Sequence, residues 1–160
     1  MDLSKLSLWQ KIILGAGILI FINIFLPWYR ISLYGYSANA NAFDAGFLAW
    51  FGSFCAFAAA VLIAIKVFTK TKIEAGPLKA EHLALLLSAL GTFFILLRLV
   101  TETNFLFIGV FIGLVAAAGM TYASFMAMKE EGMGLSDFKD LSGGPGPGGD
   151  APPPPPPPSV

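Results

Sequence analysis

The sequence predicts an all-α membrane protein: a four-transmembrane-helix bundle with a short β-hairpin-like external loop and a disordered Pro/Gly-rich C-terminal tail. Three observations carry this. Charged residues make up only 12% of the 160-residue chain, about half the share usual in a soluble domain. Four long apolar runs are separated by short polar clusters. Glycine and proline make up 14 of the last 19 residues, a composition that buries no core.

The first run, 8–27, is flanked by Trp9 and Trp28. Its rise of about 28 Å approaches the hydrocarbon thickness of about 30 Å. Tryptophan favours the membrane interfaces, so Trp9 and Trp28 are expected as interface anchors, with Pro27 ending the helix. The second span is expected at 45–68, with Asp44 as its N-cap and Lys66, Lys70 and Lys72 at its far end. The third, 78–100, starts after Pro77, a favoured first helical residue. Lys79 and Arg98 snorkel at its ends. The fourth, 104–128, follows the link Thr101-Glu102-Thr103-Asn104, short enough to force an antiparallel helical hairpin. Arg98 is placed to meet Glu102 or Asp44.

Basic residues set the orientation. Lys5, Lys11, Lys66, Lys70, Lys72, Lys79, Lys129 and Lys139 fall on one side, Arg30 and Arg98 on the other. The positive-inside bias places both termini in the cytoplasm of a plasma (inner) membrane protein. Cleavage of the first run as a signal peptide is disfavoured, because the Ala-x-Ala sites near residue 40 lie too far beyond Pro27.

Helices in lipid approach through small residues. Gly52, Ala56, Ala60 and Ala64 form such a ridge on the second helix. Ala80, Ala84, Ser88 and Thr92 form one on the third, and Gly109, Gly113, Ala117 and Thr121 one on the fourth. Ridges on three helices favour packing within one bundle over a GxxxG homodimer. Phe, Leu and Ile on the remaining faces meet lipid.

The external loop, 28–44, alternates polar and apolar residues about Gly35, the pattern of a short hairpin. It is read as a cap over the helix ends, with Tyr34, Tyr36 and Phe43 at headgroup level; a partner surface is the second reading. Residues 129–160 form the cytoplasmic tail, with a short helix expected within 133–141. Its polyproline stretch, 152–158, forms an extended rod. Pro152, Pro155 and Pro158 are the candidate contacts to an aromatic groove, against the alternative of a solvated spacer.

No catalytic constellation is visible. No span carries an acidic residue at mid-depth, which counts against ion-coupled transport. Asn23 is expected to hydrogen-bond across the bundle. His82, beside Glu81, is read as an interface residue. One cysteine, one histidine and a net charge of zero exclude a zinc-type cluster and a basic field for nucleic acid. The chain is therefore expected to be no enzyme and to need no cofactor. Its partners are the lipid bilayer and either another membrane protein or a homo-oligomer.

Phe25-Leu26-Pro27-Trp28 closing the first helix, Asn41-Ala42-Phe43-Asp44 leading into the second and Arg98 ending the third give a layout that resembles small bacterial four-helix membrane proteins of unknown function. The likeness covers 9–128 and implies a tetraspan fold without an assigned activity. The layout also resembles claudin-type tetraspans in its β-bearing first loop. The cysteine pair and the Gly-Leu-Trp pattern of that loop are missing, so no junction or pore role comes with it. A non-enzymatic scaffold or accessory subunit is the first expectation, a small oligomeric channel or transporter component the second.

Overall fold

The computed structural model describes residues 6–69, 73–75 and 78–134. Along the chain run α1 (Leu8–Asn23), β1 (Tyr29–Leu33), β2 (Tyr36–Ala40), α2 (Phe47–Thr69), β3 (Glu74–Ala75), β4 (Leu78–Lys79), α3 (Ala80–Thr101) and α4 (Ile108–Glu130). α1 packs on α2 and α4, and α3 packs on the same two. α2, α3 and α4 are long and apolar enough to cross a membrane. The buried centre is filled by Ile13, Ile20, Ile63, Ile95, Val110 and Met120 among many alanines, while Ile18, Phe21, Phe93, Phe111 and Val115 face outward. Large apolar residues therefore lie both inside the bundle and on its outer faces.

Several boundaries differ from those expected. α1 starts where a capping box sets it: Gln10 N donates to Ser7 Oγ and Ser7 N donates to Gln10 Oε1. It stops at Asn23, not at Pro27. Phe25 and Leu26 bond back three residues, to Ile22 and Asn23, tightening the last turn before the proline. Asp44 does not cap α2. It closes a turn in which Asp44 Oδ2 accepts from Asn41 N and Asn41 Oδ1 accepts from Phe43 N and Asp44 N. α2 begins three residues on, after Gly46 at φ +98°. α3 begins at Ala80 because Leu78 and Lys79 pair with Ala75 and Glu74. The link to α4 runs through 107, longer than expected, because Phe107 N bonds to Trp28 O instead of starting a helix. The expected contributions of Pro77, Lys5, Lys70, Lys72, Lys139 and the tail from 135 on, with Pro152, Pro155 and Pro158, lie outside the described residues.

Small residues lie where backbones meet, but the partition is finer than a ridge per helix. A Cβ on Gly91 would stand 2.6 Å from Gly52 O and 2.8 Å from Ala56 N, so Gly91 sets the α2–α3 approach. Ala60 turns instead to α1, where a Cβ on Gly17 would come within 2.2 Å of its own. Ala84, Ser88 and Ala117 are fully buried. Thr92 and Thr121 join α3 to α4 through their hydroxyls, 3.0 Å apart.

Candidate functional site: the β-hairpin and its seat on the bundle

β1 and β2 pair in antiparallel register, Tyr29 opposite Ala40 through Leu33 opposite Tyr36. The turn is Tyr34-Gly35, with φ +48° and +83°. Two positive φ values are what a two-residue hairpin turn needs. Glycine takes this at no cost, whereas a bulky L-residue is strained there. Yet Tyr34 is 99% exposed and Tyr36 85% exposed. Arg30, Ile31, Ser37, Ala38 and Asn39 are exposed as well. A free two-stranded hairpin is marginal in water, so its order comes from its base.

That base is anchored through Trp28. Its side chain is 0% exposed, and its indole N–H donates to Asn23 O at 2.9 Å. Its backbone N–H donates to Ala40 O at 2.7 Å, and its carbonyl accepts from Phe107 N at 2.8 Å. Arg30 N donates to Phe105 O, and 105–107 meets β1 in a single antiparallel bridge, Tyr29 opposite Leu106. The sequence expectation for Trp28, an interface anchor, gives way to a core role: the chain turns back after Pro27 and carries the indole inward. Gly109 and Gly113 make the room. A Cβ on Gly109 would lie 2.6 Å from Pro27 O, and one on Gly113 3.3 Å from Trp28 Cζ2 and 2.6 Å from Asn23 Nδ2. The GxxxG of α4 therefore receives this chain's own indole and loop. Asn23 is buried beside it, and its side-chain amide has no hydrogen-bond partner among the described residues, contrary to the expected bond across the bundle. Trp9, half-buried, sets its ring edge against Tyr122 at 5.8 Å.

Charge at this end is sparse. Arg98 lies 3.8 Å from Glu102 and covers the Tyr29 ring at 5.2 Å, while Arg30 covers Phe107 at 5.5 Å. Burial pushes the Tyr29 phenol above its ordinary range, with Arg98 opposing. Phe105 repeats the Tyr34 pattern, an exposed aromatic at φ +58°.

The opposite, lysine-rich end holds a cluster that sequence reading missed. Lys66 Nζ donates to both Glu81 and Glu131, tying α2 to α3 and to the end of α4. Glu81 and His82 are fully buried, and His82 Nε2 lies 3.4 Å from Gly134 O. The residues are 15 and 65 positions apart, a separation no local pattern reveals. Among the described residues, no group of three His, Cys, Asp or Glu is placed to hold a metal ion.

No protein-family model, curated protein or solved structure matches the chain.

Proposed function

We propose that this is a multi-pass membrane protein of the plasma (inner) membrane, termini cytoplasmic, acting as a non-enzymatic scaffold or accessory subunit. It engages another membrane protein through the hairpin end. The observation that carries the reading is Tyr34. A fully exposed aromatic in the left-handed region bears about 1 kcal/mol of strain with no burial to offset it. Strain of this kind concentrates at functional positions, and tyrosine is favoured where a surface becomes an interface. Tyr36 on β2, Phe47 at the start of α2, and Phe43 and Phe105 on loops add exposed aromatic area. The base of the hairpin is tied down by the buried Trp28 and its hydrogen bonds, and a surface held before binding loses less entropy on binding.

The test is purification of the full chain from its native membrane in gentle detergent, as wild type and as Tyr34→Ser/Tyr36→Ser. The expected result is a distinct membrane protein that accompanies the wild type and is depleted from the variant. A wild-type chain that emerges alone contradicts the reading. The second reading, an oligomeric channel or transporter component, draws less support, because the described bundle interior is filled by isoleucine, methionine and alanine. Flux through liposomes holding the purified chain alone would favour it.

A further inference from the structure

A groove of about 320 Å³ runs between α1 and α2 on the outward face, lined almost wholly by carbon. Its floor is made by Gly17, Ala60 and Ala64, and its walls by Leu14, Phe57 and Phe68 among others. The Gly17–Ala60 contact draws the helices together at this depth. α1 and α2 run antiparallel here, because Phe21 meets Phe57 at 5.3 Å while Leu14 lines the groove with Ala64 and Phe68.

From 57 to 68 a helix rises about 16 Å, close to half the roughly 30 Å hydrocarbon core. The groove therefore spans one leaflet. The ring pair Phe21–Phe57 closes it at mid-membrane, and its other end opens toward the lysine-rich side. The space open along it, at most about 670 Å³, is about half of what a helix about 10 Å across would fill over that length, so the groove is of single-chain width. Lys11, exposed, lies one turn below Leu14 on the same face of α1. Helical side chains lean toward the N-terminus, which carries the Lys11 ammonium away from the apolar groove and to headgroup level.

We infer that this groove holds one acyl chain of an anionic phospholipid from the lysine-rich leaflet, with Lys11 meeting the phosphate. The inference rests on the bundle lying in a bilayer and is independent of the partner proposed for the hairpin. The site is built from depth, width and charge together: apolar walls accept the chain, and one cation selects the headgroup.

The test reconstitutes the full chain into nanodiscs of phosphatidylcholine with a minor share of phosphatidylglycerol. The protein is then released into mild detergent and weighed by native mass spectrometry. One phosphatidylglycerol should remain per chain after loosely held lipid is shed. Ala64→Phe, which fills the floor, should abolish that retention. Lys11→Gln should keep a lipid but lower the preference for the anionic one by about fivefold. Val115→Phe, on the exposed face of α4, should retain it as the wild type does. Wild-type protein that sheds all lipid, or Ala64→Phe that keeps it, overturns the inference. If Ala64→Phe fails to fold, an unchanged preference in Lys11→Gln overturns it instead. A chain that washes from membranes with alkaline carbonate would overturn the membrane assignment as well, whereas lipid loss from a membrane-integrated chain overturns this inference alone.

Discussion

At the hairpin end, an indole ring, one antiparallel bridge to Leu106 and two glycines of α4 hold the loops in place, with Arg98–Glu102 as the only ion pair among the described residues there. At the lysine-rich end, three helices converge on one ammonium, and a fully buried carboxylate, Glu81, depends on it. The first end is fastened by steric fit and backbone bonds, the second by charge. Fit places a projecting hairpin in a fixed direction and is insensitive to salt. A charged junction costs desolvation, but it specifies which helix ends come together.

Substitutions at six positions separate these modes. The largest effect is expected from Trp28→Ala, which empties the seat of the hairpin. It should cost about 3–5 kcal/mol, read as a fall in the thermal midpoint of the detergent-solubilised protein. Lys66→Met follows. It strands Glu81, and removing one partner of a buried pair costs about 3 kcal/mol where the lost partner is partly exposed. Adding Glu81→Leu should recover most of that loss, since an apolar pair avoids the desolvation. A double variant no more stable than Lys66→Met would show that the junction works by something other than charge.

Next comes Gly109→Val, whose Cβ meets the Pro27 carbonyl. It should cost about 2 kcal/mol and, in a Trp9→Phe/Trp50→Phe background that leaves Trp28 as the one indole, make the fluorescence more accessible to quenchers. The equivalent change at Gly119, which has open space around it, should stay within about 0.5 kcal/mol of wild type. The smallest effect is at the tip. Tyr34→Asn should raise stability by up to about 1 kcal/mol, because asparagine tolerates positive φ, while weakening association with the partner. A drop in stability would mean that Tyr34 is not strained in the free protein.

The helices were legible in the sequence because length and missing charge are local properties, and so was the hairpin about Gly35. The sites where segments meet were not. Gly91 interrupts no pattern on α3, and only the approach of Gly52 and Ala56 reveals its purpose. Trp28 reads as an interface marker by position, and its burial follows from the reversal after Pro27, which no periodicity encodes. Lys66, Glu81 and Glu131 each look like an ordinary helix-end charge until the tertiary fold brings them together.

The proposed topology puts the hairpin and the lysine-rich end on opposite faces of a membrane. It is tested most directly by single cysteines placed at Ser37, exposed on β2, and at Ser142, in a Cys55→Ala background. In intact cells, an impermeant maleimide should label the Ser37→Cys protein and spare the Ser142→Cys protein until the membrane is permeabilised. Equal labelling of both before permeabilisation would contradict the account.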